Sequence, residues 1–294
     1  MRSVKILIAA GAASLLSTAA FAADMPSIAQ SPQYYAPQAQ DFGGWYLRGD
    51  IGMTNSTGKL DNSLLYPTAQ GLQHVGQGFS GGTSYGVGVG YQFNNWFRAD
   101  ITGEYRSKVN FTGTDYSINT LPPGIVGGGN ATQVPFADSY NGGYSSWVGL
   151  VNAYADLGTW WCLTPFIGAG VGGAYNQTSG FSDLGTSAPT YFSGTAFRAD
   201  SGSLYNAAGA GKFNFAWALH AGVAYKVTNN FTVELAYRYL DMGTGIHGNG
   251  SSFDGSNAGP SSFQFRDITS QDLRIGVRWT CCDLPPPPPL VRKG

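Results

Sequence analysis

Apolar and polar side chains alternate residue by residue between positions 231 and 240. Successive side chains of a β-strand project to opposite faces, so this period of two predicts a strand with one apolar and one mostly polar face. A helix would scatter the same apolar residues around its axis. One face carries Phe231, Val233, Leu235, Tyr237 and Tyr239, and the other carries Thr232, Glu234, Ala236, Arg238 and Leu240.

Similar alternation predicts seven further strands. The eight predicted strands cover residues 45–53, 85–93, 96–106, 144–156, 164–175, 213–227, 231–240 and 273–279. In the segment 144–156 both alternate sets contain apolar residues, which leaves its facing open. Three short turns, after residues 93, 156 and 227, alternate with four long loops at 55–81, 107–142, 176–211 and 243–267. This rhythm places all long loops at one end and predicts an all-β, antiparallel up-and-down arrangement.

The polar face of the third predicted strand decides between a soluble sandwich and a membrane barrel. A sandwich turns its apolar face inward, whereas an outer-membrane barrel turns that face to lipid and its polar face inward. Neither a sandwich core nor a lipid face would accept Arg98, Asp100, Glu104 and Arg106. With 43 glycines, 14% aromatic and 11% charged residues, the composition also suits a β-rich chain with a lipid-facing aromatic surface. We therefore predict an eight-stranded transmembrane β-barrel over residues 44–279.

The first 22 residues have the pattern of a secretory signal peptide. Arg2 and Lys5 form a basic start, residues 6–16 are apolar, and 20–22 read Ala-Phe-Ala as a cleavage site. We interpret residues 23–43 as a proline-containing periplasmic leader and 280–294 as a Cys- and Pro-rich periplasmic tail. Export excludes cytoplasmic roles, and a net charge of −1 gives no footprint for nucleic acid.

Charged residues at inward positions predict a network in the lumen. An eight-stranded barrel is just wide enough for its own side chains, so these charges must pair. A salt-bridged plug is the favoured interpretation, and a charge-selective conduit is the alternative. Seven cations face four acids, so any pore should show a weak anion preference, although water, Asp156 or a passing anion could meet the excess. The network comprises Arg48, Asp50, Arg98, Asp100, Glu104, Arg106, Lys226, Glu234, Arg238, Arg274 and Arg278.

Three cysteines, Cys162, Cys281 and Cys282, fall at the short-turn end of the predicted barrel. Disulfides persist in the oxidising periplasm, so a bridge from Cys162 to Cys281 or Cys282 would pin the tail to the barrel. A bond between the two adjacent cysteines is a strained alternative. Either pairing leaves one thiol.

Several segments resemble the small eight-stranded outer-membrane barrels of alphaproteobacteria, which are akin to the OmpA and opacity-type barrels. The resemblance lies in residues 90–96, 164–172, 221–230, 234–240 and 273–279. It implies an integral outer-membrane protein that is surface-exposed, antigenic and sometimes described as a porin. One departure is that Trp279 is followed by a tail, whereas such barrels usually end on an aromatic residue.

The function we expect is structural: to stabilise the envelope and display surface loops, with a small or gated porin as the alternative. Expected partners are outer-membrane lipid and lipopolysaccharide, the barrel-assembly machinery, and peptidoglycan or a periplasmic protein at the tail. The long loops should be extracellular and both termini periplasmic.

An outer-membrane lipid-modifying enzyme is the second alternative. Such an enzyme needs a nucleophile with a base in reach, usually Ser with His. The chain holds only His74 and His247 in loops and His220 facing inward, with no pair at metal-ligand spacing. We interpret His220 as structural and predict no catalytic residue, metal or cofactor.

Overall fold

The computed structural model describes residues 44–61, 73–121, 132–187, 190–191, 197–198, 202–253, 255, 257–259 and 263–281. The predicted signal peptide, the leader and most of the tail lie outside these residues. Among the described residues, no helix has the length and apolar character needed to cross a membrane. The strands are β1 Gly44–Asp61, β2 Gln73–Phe79, β3 Gly82–Gln92, β4 Phe97–Leu121, β5 Thr132–Asp156, β6 Leu163–Ser187, β7 Thr190–Tyr191, β8 Phe197–Arg198, β9 Ser203–Gly209, β10 Gly211–Lys226, β11 Phe231–Ser252, β12 Asn257–Ala258 and β13 Gln264–Cys281.

Eight of these strands close into a barrel, which confirms the predicted fold class. Antiparallel pairing runs in the order β1, β3, β4, β5, β6, β10, β11 and β13. Strand β13 then pairs with β1 from Trp45 opposite Cys281 to Asp61 opposite Gln264. Because the last strand pairs with the first, this ring leaves no free sheet edge.

The predicted inversion of faces is confirmed in β11. Phe231 and Leu235 are 37% and 47% exposed, whereas Glu234 and Arg238 are only 3% and 1% exposed. Apolar side chains therefore face outward and charged ones face the interior, as a lipid-embedded barrel requires. The facing of β5 is now settled, because Trp147 and Val151 point outward and Tyr154 points inward.

The four long loops of the sequence analysis are wrong in extent, because much of each is β-structure. Strand β4 continues to Leu121, β5 begins at Thr132, and β6 continues to Ser187. An additional strand takes over where a barrel strand stops: β2 pairs with β4, and β9 pairs with both β6 and β11. We call this wall beyond the membrane-facing belt the extension, comprising residues 55–61, 73–79, 107–121, 132–145, 178–187, 203–209, 241–253 and 263–270.

Two physical changes hid these strands from the pattern analysis. In the extension the faces are reversed, so that Val109 and Phe111 point inward while Asn110 and Thr112 face solvent. In addition, the registers of the β4–β5, β5–β6, β1–β13 and β11–β13 pairs shift at irregularities, each of which breaks the alternation. In β4 the inward positions change from even to odd numbers between Arg106 and Val109. Such bulges insert one residue and shift the phase of every side chain beyond them.

Inward glycines in β3 and β6 make room for large partners in the interior. A Cβ at Gly90 would collide with the Tyr46 ring, and a Cβ at Gly168 would collide with Tyr154. A Cβ at Gly88 would come within 3.1 Å of Arg48 Cγ. Since an eight-stranded barrel has little internal volume, glycine on these walls is what admits arginine and tyrosine from the others.

Candidate functional site

Arg48 of β1 forms the centre of one group of interior charges. Its Nη1 donates to Asp100 Oδ2 at 2.7 Å, and its Nη2 donates to Asp50 Oδ1 at 2.8 Å. Tyr154 Oη lies 2.9 Å from Nη1, and Glu234 Oε2 lies 3.5 Å from Nη2. The planar guanidinium thus bridges carboxylates from three strands, which ties β1 to β4 and β11.

Asp272 of β13 forms the centre of a second group. It accepts from Arg106 Nη1 at 2.9 Å and from Arg238 Nη2 at 2.6 Å. Glu104 Oε1 lies 2.6 Å from Arg238 Nη2 and 3.0 Å from Arg106 Nη1, and Ser270 Oγ donates to Asp272 at 2.6 Å. All of these side chains are buried, so each charge depends on its partners rather than on water.

Arg98 lies nearer the short-turn end, between two aromatic rings. Its Cζ is 4.2 Å from the Tyr154 ring centroid and 4.7 Å from the Phe166 centroid. Its Nε donates to Asp156 Oδ1 at 3.2 Å, and Nη2 lies 3.4 Å from Glu234 Oε1. Cation–π contacts and ion pairs together hold this fully buried guanidinium.

Ten of the eleven predicted network residues lie in the interior and take part in salt bridges. Lys226 is the exception: it has the inward parity but is exposed as the last residue of β10, where the lumen opens to solvent. Its placement in the network was wrong.

The predicted excess of seven cations over four acids was also wrong, since six arginines meet six carboxylates within the described part of the interior. Asp272 is absent from the predicted network because the last predicted strand begins at Leu273, although the alternation through Arg274 extends to Asp272. The six arginines are Arg48, Arg98, Arg106, Arg238, Arg274 and Arg278, and the six carboxylates, most of them shared between arginines, are Asp50, Asp100, Glu104, Asp156, Glu234 and Asp272.

The extension has a different interior, composed mainly of aromatic rings. The Phe111 and Phe265 ring centroids are 4.7 Å apart, and those of Phe181 and Phe263 are 4.6 Å apart. His247 is fully buried against Phe181, with ring centroids 4.4 Å apart. Burial lowers the pKa of His247 to about 4, so this ring is neutral at pH 7. We call this set, with Phe79, Tyr140 and Tyr205, the aromatic cluster.

The histidines are held by structural contacts. His220 Nε2 lies 3.2 Å from Asn152 Oδ1, whose amide nitrogen donates to Asp100 Oδ1 at 2.8 Å. His74 Nδ1 lies 2.5 Å from Asp115 Oδ1 in the extension. Within the described residues, no group of three His, Cys, Asp or Glu side chains could hold a metal ion.

Cys162 and Cys281 carry free thiols, so the structure does not form the bridge between them. Cys162 lies in the turn before β6, and β10 and β11 separate β6 from β13. Three inter-strand spacings amount to about 14 Å, twice the Cα separation of about 7 Å that a disulfide tolerates. Cys282 lies outside the described residues, so its pairings stay a prediction.

The sequence matches the model of one protein family, the outer membrane protein beta-barrel domain, over residues 8–279. An uncharacterised protein of Brucella abortus (strain 2308) is 31% identical over 287 residues, covering 89% of this chain and 93% of that protein. The outer membrane protein PagN of Salmonella typhimurium (strain LT2) is 26% identical over 162 residues, covering 54% of this chain and 56% of PagN.

Two solved structures are similar at low identity. Neisserial surface protein A is 17% identical, with a TM-score of 0.37 and coverage of 81% of this chain and 97% of that one. The outer membrane protein OprG of Pseudomonas aeruginosa is 13% identical, with a TM-score of 0.40 and coverage of 82% and 98%.

Proposed function

Because the chain belongs to the outer membrane protein beta-barrel domain family, we propose that it works as a closed outer-membrane barrel that stabilises the envelope and displays its extension at the cell surface. Its place is the outer membrane of a Gram-negative bacterium. The extension lies on the extracellular side of this membrane, and the short turns with both chain termini lie on the periplasmic side.

The observation that carries the proposal is the double filling of the interior. The balanced ion-pair network occupies the membrane-facing part, and the aromatic cluster fills the extension above it. An ion crossing this barrel would have to break buried ion pairs and then displace packed aromatic rings. Both steps are costly, which favours a structural role over conduction.

Conductance measurements test this closure. Purified protein in planar bilayers should give no resolvable current steps in 1 M KCl, with insertion checked independently by heat-modifiable mobility in gels. Regular steps would overturn the closed-barrel proposal in favour of the small-porin alternative. With six cations facing six acids, the charge count no longer supports an anion preference.

The orientation is tested by labelling with a membrane-impermeant maleimide in intact cells. In a background where the three cysteines are serine, Phe253→Cys places a thiol on the extension and Thr159→Cys places one on a short turn. Both positions are exposed. Only F253C should react before the cells are lysed. Labelling of T159C alone would show that the topology is the reverse of the proposed one, with the short turns extracellular.

We further propose that lipid and lipopolysaccharide surround the apolar belt, that the assembly machinery inserts the chain, and that the tail contacts peptidoglycan or a periplasmic protein. A catalytic role is not part of this proposal. His220 lies inside the ion-pair network, with its Nε2 beside the Asn152 amide rather than beside a serine hydroxyl. Lipid turnover that disappears in His220→Ala would revive the enzyme alternative.

A further inference from the structure

Three carboxylates lie close together inside the extension, on three adjacent strands. Asp115 of β4 is directly opposite Asp138 of β5. Asp183 of β6 is opposite Tyr140, two residues along β5 from Asp138. Like charges on neighbouring strands repel one another, and burial strengthens that repulsion because water no longer screens it.

Neighbouring hydrogen-bond donors stabilise the negative charge of Asp115, but Asp183 lacks comparable donors in the described part of the chain. Asp115 accepts from Tyr140 Oη at 3.0 Å and from Gln77 Nε2 at 2.8 Å, and it contacts His74. Asp183 is only 4% exposed, and its Oδ1 has no hydrogen-bond partner. In the described part of the chain, Asp183 forms no ion pair.

The other neighbours of Asp183 that the structure describes carry no positive charge. Tyr205 of β9 is directly opposite it in the sheet. His247 of β11 packs on Phe181, two residues from Asp183, and is neutral at pH 7. An ionised Asp183 would therefore be a buried charge beside two other acids, with no cation among the described residues to offset it.

We propose that Asp183 is a proton-dependent latch of the extension. With its proton in place, the carboxyl is neutral, and the β6 and β9 segments pack on the aromatic cluster. When the proton leaves, repulsion from Asp115 and Asp138 loosens the seven-residue strand β9 and exposes Phe181 and Tyr205. The extension then presents an aromatic surface at high pH that it buries at low pH.

The sign of the effect follows from linkage. Burial, followed by the charges of Asp138 and Asp115, raises the pKa of Asp183 to about 7. In the open state the pKa returns to about 3.9. Closure is therefore most stable in acid, weakens as pH rises from about 4 to 7, and changes little above that range. Between pH 5.5 and pH 8.5 these two pKa values predict an increase of about 30-fold in the open population.

Hydrogen exchange of the full chain in lipid nanodiscs tests the latch. Backbone amides of residues 181–185 and 203–207 should lose about 30-fold in protection between pH 5.5 and pH 8.5, after correction for the intrinsic exchange rate. The membrane-embedded half of β6 should not change. Asp183→Asn should remove the pH dependence, because the asparagine amide does not ionise in this pH range.

A matched control is Asp267→Asn, which alters a largely exposed acid of the same extension and should leave the dependence intact. If D183N does not fold, Asp138→Asn provides the second test, since it removes one repelling charge and should move the transition to lower pH. A wild-type protein with pH-independent protection, or a D138N protein with an unmoved transition, would overturn the latch.

Discussion

The two halves of the interior are filled by opposite kinds of side chain, although the same strands β4, β5, β6, β11 and β13 line both. In the membrane-facing half, buried arginines and carboxylates meet at 2.6–3.5 Å. In the extension, aromatic rings pack with centroids 4.4–6.0 Å apart. The difference reflects what lies outside the wall. Lipid takes the apolar face in one half, so polar groups turn inward, and water takes the polar face in the other.

The largest expected effect is on the ion-pair half. Asp272→Ala removes one of the two acids that Arg106 and Arg238 share and leaves only Glu104 between them. Breaking a buried pair costs about 3–5 kcal/mol because a charge stays uncompensated. Urea unfolding in lipid should show this loss across the whole barrel. Restoring apolar packing in the double variant Asp272→Leu with Arg238→Met should recover part of it. A decrease of less than about 1 kcal/mol in the free energy of unfolding would show that the network does not stabilise the barrel.

A loss of similar size but local extent is expected in the aromatic half. Phe265 is fully buried and contacts Phe111, so Phe265→Ala should cost about 3–5 kcal/mol. Because the ring lies in the extension, hydrogen exchange should rise there while the membrane-facing strands stay protected. Phe253→Ala, which alters an exposed ring of the same extension, is the matched control. Equal loosening of both halves would show that they unfold as one unit.

A smaller effect is expected where the wall meets the network. A Cβ at Gly90 would strike the Tyr46 ring, so Gly90→Ala should destabilise the barrel by about 1–3 kcal/mol through overpacking. Gly103→Ala is the control, since nothing lies within 4 Å of a Cβ at that outward position. Thermal shift of the gel mobility would measure both, and equal shifts would contradict the space-filling role of inward glycine.

The smallest effect is expected at the surface of the extension. Lys59 Nζ lies 3.9 Å from Asp267 Oδ2, and both side chains are largely exposed. Pairs of this kind contribute little because water and salt screen them. Lys59→Ala should leave unfolding unchanged within about 0.5 kcal/mol, and a larger loss would mean that this pair staples β1 to β13.

The sequence was sufficient where one face of a strand met lipid. The alternation in β3 and in residues 231–240 of β11 predicted the strands, their facing and the closed antiparallel barrel, because the period of two runs unbroken there. It failed in the extension, where register shifts such as the one between Arg106 and Val109 move the pattern to the other face. It also placed Lys226 in the network from its inward parity alone. Whether an inward side chain is buried also depends on how far its residue lies from the end of the strand.

Register also explains which members of the candidate site the sequence predicts. The sequence predicts ten network members because a charged side chain at an inward position of a barrel strand extends into the lumen. It missed Asp272 by one residue at a strand boundary, which is where such assignments are weakest. The latch at Asp183 lies beyond the shift between Asn141 and Gly143, so its inward facing could be seen only in three dimensions.

The bulges have a consequence for how this chain can change length. An insertion of one residue in β4 between Thr102 and Val109 would reverse every side chain beyond it, placing Phe111 in water and Asn110 among aromatic rings. Adding residues two at a time would preserve the facing. Engineered variants that graft a foreign peptide onto this scaffold should therefore tolerate even-numbered inserts within its walls and reject odd ones.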